Sequence, residues 1–326
     1  MVRNLESEKR LFLNRGMLLG IAVLTLTLLA VTLIPLIGPI AVIMTPLPIL
    51  YFYFRLGNAQ GLAALVIAAL FASGILNLLG RPARISAFII IGITGVMLSE
   101  TLKRRYSIEK TFVVASLMLF LCGIGFVLYH AAQAGVAPWK VVEMTIETTI
   151  KDNLALYAQM NISEDQMTML RENTGEITRF FTELFPGMTL CGAILTVLLN
   201  VLAGRALLRT GPGGFPDFGD LTLWKAPEKF VWLLILSGAM TLAPLEILDT
   251  IGINVLIVCC LIYLFQGLAI AAFFFKQKQV PLIFRALFYT LIAVQQYLII
   301  FIIAIGLSDL WIDFRKRMTR IKDAQA

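Results

Sequence analysis

The sequence predicts an all-α, polytopic transmembrane bundle of eight to nine spans with one extramembrane pair of amphipathic helices. Three observations predict it. The 326 residues are 59% hydrophobic and 14% charged, against roughly 45–50% and 25% in soluble domains. Eight uncharged runs (16–54, 56–80, 85–99, 111–139, 184–204, 230–245, 250–275 and 286–308) hold 194 residues, so every Asp, Glu, Lys and Arg lies in the other 132. A charge at mid-bilayer costs roughly 2.5–3.5 kcal/mol even on the lenient insertion scale, so this segregation excludes a soluble protein. The third observation is that the longest charged stretch, 137–183, has helical periodicity of its own.

Most runs match one helix of roughly 20 apolar residues. The run 16–54 is interrupted by Pro35, Gly38 and Pro39, which break a helix, and so predicts two spans. The second, about 40–55, contains Pro46 and Pro48 and is expected to be short or re-entrant and to lie inside the bundle, because irregular backbone at that depth survives only against protein or a wet cavity. No cleavable signal is expected, since the first apolar run continues into a second. With the N-terminus inside, nine spans place 16 of the 27 Lys and Arg residues in the cytoplasm. The tail bases Arg315, Lys316, Arg317, Arg320 and Lys322 then fall outside, against the rule.

Residues 137–183 carry eight acids and four bases. Val142, Ile146, Ile150, Leu154 and Tyr157 recur every three or four positions after Pro138, predicting one amphipathic helix. Ser163 with Gln166 forms a capping box for a second, whose stripe of Met167, Leu170, Thr174, Ile177, Phe181 and Leu184 runs up to Pro186. This pair either packs against itself or lies along the bilayer surface, or it forms a lid or partner-docking surface. The chain thus divides into 1–136, a five-span core; 137–183, the acidic insertion; and 184–326, four spans and a basic tail.

Little in the sequence points to catalysis, and no cofactor, metal site or nucleic-acid partner is expected. The single histidine, His130, lacks a nucleophile elbow or an orienting carboxylate. The Gly/Pro cluster at 211–219 lacks the GK[ST] ending of a phosphate loop. Cys122, Cys191, Cys259 and Cys260 lie in predicted spans without a CxxC pattern and read as packing residues. Polar groups in spans are the better candidates, being costly to bury unpaired. Asn77, Asn200, Asn254, Gln266, Gln295 and Gln296 are such groups, with Glu100, Glu246, Asp249 and Asp309 at span ends. Neighbouring Gln295 and Gln296 point about 100° apart on a helix and cannot share one seam. Asn77, Gln266, Gln295 and Gln296 are therefore the expected substrate-binding residues. Small residues mark close-packing seams: Ala64, Ala68 and Ala72; Gly92 and Gly95; and Gly16 with Gly20, which is also the candidate face for docking a partner helix.

Several short strings resemble the YybS-like family of predicted bacterial multi-pass membrane proteins. They are Leu264-Phe265-Gln266-Gly267-Leu268-Ala269, Phe284-Arg285, the closing run Gly306 to Lys316, Leu184-Phe185-Pro186, and Trp224 with Pro227. That family is grouped with the substrate-binding S components of energy-coupling factor transporters, which present small residues on their first helix to an energising subunit. The resemblance implies an S-component-like core for the N-terminal spans, with Gly16 and Gly20 at the docking position. Three further spans and the acidic insertion depart from the six-helix S component. The expected function is binding or transport of a small vitamin- or metal-like molecule in the bacterial inner membrane, with a membrane or ATPase partner subunit and no enzymatic activity. The alternative is a membrane scaffold or assembly factor docking a partner through its acidic helices.

Overall fold

The long apolar runs fold as helices because lipid offers backbone groups no hydrogen-bonding partner outside the segment itself. The structure, a computed structural model, describes residues 15–34, 43–81, 85–159, 163–208 and 215–323, and these are helical with short connections and no strand. The break at Pro35, Gly38 and Pro39, and the part of the Gly/Pro cluster at 211–214, lie outside the described residues. The chain folds into two compact units that are discontinuous in sequence, 1–126 with 192–217, and 127–191 with 218–326. Their boundaries do not coincide with the linear stretches 1–136, 137–183 and 184–326, because one long helix, Thr174–Leu208, begins in the second unit and ends in the first.

The first unit contains α1 (Arg15–Leu33), α2 (Pro46–Leu56), α3 (Asn58–Leu78), α4 (Ile85–Lys103) and most of α5 (Ile108–Ala134). Its core joins Met17, Leu24 and Leu28 of α1, Ile49 and Phe52 of α2, and Ala64, Ala68 and Ala72 of α3. The three alanines are fully buried, so the expected seam is an internal one. A Cβ on Gly20 would stand 3.1 Å from Phe52, and one on Gly16 would stand 3.5 Å from Leu56. These glycines therefore face α2 of the same chain, and α1 and α2 run in opposite directions. Gly92 and Gly95 of α4 admit Leu65 and Ile49 in the same way.

The second unit holds α6 (Pro138–Tyr157), α7 (Glu164–Glu172), the first half of α8 (Thr174–Leu208), a 3-10 turn (Leu221–Leu223), α9 (Phe230–Met240), α10 (Glu246–Gln277), α11 (Leu282–Val294), α12 (Gln296–Ile312) and α13 (Phe314–Asp323). The Ser163 half of the capping box is present: its Oγ accepts from the Gln166 backbone N–H at 3.4 Å. The second stripe does not run unbroken to Pro186, because Asn173 ends α7 and α8 starts at Thr174. Pro186 then sits inside α8. Proline there removes an amide donor and crowds the preceding turn, and the loss is offset by a side chain from α10. Asn254 Nδ2 donates to the Glu183 carbonyl at 2.7 Å, and its Oδ1 accepts from the Gly187 amide at 2.6 Å.

Among the described residues, six helices are long and apolar enough to cross a membrane (α1, α3, α4, α5, α8 and α10), or seven if the bent pair α11–α12 is counted as one span. The expected eight to nine is not reached because α2 and α9 have 11 residues each, about 16 Å of helix against about 30 Å of hydrocarbon. Apolar length in the sequence overstated helix length wherever proline or a turn consumed residues. The buried Ile49, Leu50, Phe52 and Tyr53 do place short α2 inside its bundle, as expected.

Candidate functional site

The densest polar cluster of the second unit forms where α10 and α12 pack without intervening side chains. A Cβ on Gly267 would lie 2.1 Å from the Ile302 carbonyl oxygen, and one on Gly306 would lie 2.0 Å from that of Tyr263, so glycine alone lets these backbones meet. Immediately before Gly267, Gln266 is 1% exposed. Its Nε2 donates to Asp309 Oδ2 at 3.2 Å and its Oε1 accepts from the Ala226 amide at 3.0 Å. Asp309 accepts further bonds from Arg315 Nη1 at 3.0 Å and the Phe314 amide at 2.9 Å. Arg315 also donates to the carbonyls of Thr222, at 3.1 Å, and Trp224, at 2.9 Å.

The physical role of this cluster follows from its partners. Residues 224–227 are non-helical backbone after the short 3-10 turn, and such backbone needs protein donors and acceptors when it is buried. Gln266 and Arg315 supply them. A second tier of ion pairs surrounds the first: Lys225 meets Asp313 at 2.9 Å, Lys316 meets Asp313 at 3.0 Å, and Lys276 meets Asp220 at 2.7 Å. Asp220 is held below its ordinary carboxylate value by hydrogen bonds from Lys276 and Thr222. Hydrogen bonds from Lys225 and Lys316 bring Asp313 down to about 2. A depressed carboxylate contributes stability above its unfolded value and loses it as pH falls through its folded value. Wild type is therefore expected to lose thermal stability between about pH 4 and its folded value, and Asp313→Asn to lose less over that window; parallel melting curves would contradict the tie.

Beside the cluster, Tyr263 is fully buried and its hydroxyl has no hydrogen-bond partner among the described residues. Tyr263→Phe removes an unpaired group, so stability should stay level or rise by up to about 1 kcal/mol. A clear drop in the melting temperature would show that the hydroxyl is bonded.

These contacts also decide the path of the bent pair. Helices α11 and α12 meet at 109° around Gln295. Just ahead of α11, Lys276 binds Asp220, and Arg285 donates to the carbonyls of Val280 at 2.7 Å and Phe275 at 3.3 Å. At the far end of α12, Asp313 binds Lys225 and Arg315 binds Trp224. Both ends of the pair converge on the one stretch 220–225, so the pair turns back on itself within the second unit. The start of the basic tail, Arg315 and Lys316, therefore lies at the same end of this unit as Lys225 and Lys276, whereas the nine-span reading set the tail on the opposite side.

The chain matches the family "Predicted membrane protein (DUF2232)" over residues 21–310. It belongs to that family. It is also similar to "Uncharacterized protein YybS" of Bacillus subtilis (strain 168), 23% identical over 272 residues, which cover 80% of this chain and 84% of that protein. No solved structure matches. Several of the strings that carried the resemblance contribute to the cluster, through Gln266 and Gly267, through Gly306, Asp309, Phe314 and Arg315, and through Trp224, while Asn254 bonds to Glu183 and Gly187 on either side of Pro186.

The expected site residues separate. Gln266 is wholly engaged by protein. Gln295 and Gln296 are exposed at the hairpin tip, where their side chains have no hydrogen-bond partner among the described residues. Asn77 is exposed near the end of α3, in the other unit. In that unit Asn200 donates to the carbonyl of Ile43 at 2.7 Å, a contact between distant segments, and to that of Thr196 in its own helix at 2.6 Å. A cavity of about 10 Å³, on the scale of one water molecule, lies between Thr94, Cys122 and Thr196. His130 stacks edge-on with Tyr129. Asp309 was named only as a span-end polar group and Arg315 only as one base of the basic tail, so their pairing was not expected. The signal was present in their spacing: an Asp and an Arg six residues apart across the end of an apolar run.

Proposed function

We propose that this chain is a multi-pass protein of the bacterial cytoplasmic membrane that binds a small solute, vitamin- or metal-like, and helps it cross with partner subunits. It acts as a binding component rather than an enzyme. The observation that carries this reading is the pair of exposed carboxamides at a re-entrant tip. Helix α11 has 13 residues, so the tip lies at most about 20 Å from its start, short of the roughly 30 Å of hydrocarbon. Amides at that depth need partners, and interrupted helices of this kind line solute paths in secondary transporters. The buried cluster below holds both arms of the hairpin, which presents the glutamines from a fixed base.

Thermal melting of the purified protein across vitamins and metal ions tests the reading. A true ligand at about 100 times its Kd stabilises by about 2.7 kcal/mol, and Gln295→Leu with Gln296→Leu should abolish that shift while leaving the ligand-free melt in place. A shift that survives in the double variant removes the tip from the site. The scaffold reading is favoured by one feature, the exposed Trp139, Met144, Leu156 and Met169 on the acidic α6–α7 helices. No shift with any compound, together with a stoichiometric protein co-purifying, would select it.

A further inference from the structure

We propose that the end of the second unit built from 220–229, the C-terminus of α10 and α13 binds anionic phospholipid headgroups. The bases at this end fall into two sets. Lys225, Lys276 and Lys316 are engaged by Asp313 and Asp220 and hold the fold together. Lys229, Lys278 and Arg317 come from three separate segments, are exposed, and have no acidic partner among the described residues. Glu228 is the exposed carboxylate standing against them. The excess of charge is therefore left over after the internal ion pairs are satisfied.

Position points to lipid as the occupant. Trp232 and Trp311, which are 70% and 72% exposed, stand close in sequence to Lys229 and Arg317, and exposed indoles settle at headgroup level. The apolar helices α9 and α12 continue directly from them. Helix α13 alternates bases with Phe314 and Met318 and cannot swing away, since Arg315 binds Thr222 and Trp224 while Gln277 Nε2 donates to the Met318 carbonyl at 3.2 Å. A basic amphipathic helix fixed at the rim of an apolar bundle meets phosphate rather than an acidic peptide approaching from solvent.

The test uses full-length protein in phosphatidylcholine nanodiscs doped with pyrene-labelled phosphatidylglycerol, reading energy transfer from tryptophan. Each of Lys229→Gln, Lys278→Gln and Arg317→Gln is expected to weaken the apparent affinity about fivefold, the equivalent of about 1 kcal/mol per base, and raised salt should weaken wild type similarly. Lys140→Gln and Arg171→Gln, on α6 and α7, should change nothing. Melting in undoped discs should match wild type for all five variants, confirming that each is folded. Equal affinity for phosphatidylglycerol and phosphatidylcholine, or losses as large for the α6–α7 variants, would overturn the proposal. So would salt-sensitive capture of an acidic peptide without lipid preference.

Discussion

Asp309→Ala is expected to destabilise the protein by about 3–5 kcal/mol, the range for removing one partner of a buried ion pair. The loss has two parts. Arg315, 5% exposed at its side chain, would keep its charge without the carboxylate it binds. The Gln266 amide and the Phe314 N–H, both bonded to Asp309, would lose their acceptor. Arg315→Ala should cost a comparable amount, because it strands the Asp309 carboxylate and the carbonyls of Thr222 and Trp224 together. The diagnostic result is the double substitution Asp309→Leu with Arg315→Met. Replacing a buried pair by apolar side chains of similar volume is often neutral, so a double variant more stable than either single would identify charge burial as the main effect. Double-variant losses equal to the sum of the singles would mean the two residues act independently. Chemical denaturation in mild detergent measures all three.

Gly306→Ala should have the next largest effect, about 3 kcal/mol, at or above the upper end of ordinary overpacking. The added methyl would lie 2.0 Å from the Tyr263 carbonyl oxygen and 2.8 Å from the Gly267 amide nitrogen. Both are backbone atoms, so no side-chain rotation relieves the overlap and the helices must separate. Separation would also lengthen the Gln266–Asp309 bond. Gly267→Ala should behave likewise against Ile302. Gly125→Ala and Gly238→Ala are the controls: a Cβ at either meets nothing within 4 Å, and both should stabilise slightly through the unfolded chain. Similar melting of all four variants would mean that the α10–α12 contact contributes little.

Much of the fold was legible because lipid makes the rule simple. Uncharged runs of helix length became α1, α3, α4, α5, α8 and α10, and Ser163 with Gln166 became a real cap. Legibility failed where chain path depended on distant contacts. The Gln295–Gln296 dipeptide was conspicuous in the sequence, but hydropathy cannot tell a span from a hairpin: both are apolar throughout, and they differ only in whether the two ends meet. The Gly16/Gly20 pair could be read as a seam, but not as one facing Phe52 and Leu56 of its own chain. Gln266 was marked as an intramembrane amide and Asp309 as a span-end polar group, while the Arg315 that joins them read as one base of a basic tail.

By itself the sequence determined that this is a membrane protein of helices, since segregated charge has one cheap solution in a bilayer. It also placed the acidic pair α6–α7. The tertiary structure alone decided that the last apolar run turns back on itself and that the start of the basic tail lies at the same end as Lys225 and Lys276. Those outcomes rest on ion pairs between residues up to 88 positions apart, Lys225 with Asp313 being the widest. Pairing at such separation is set by where packing brings the helices, and no local pattern encodes it.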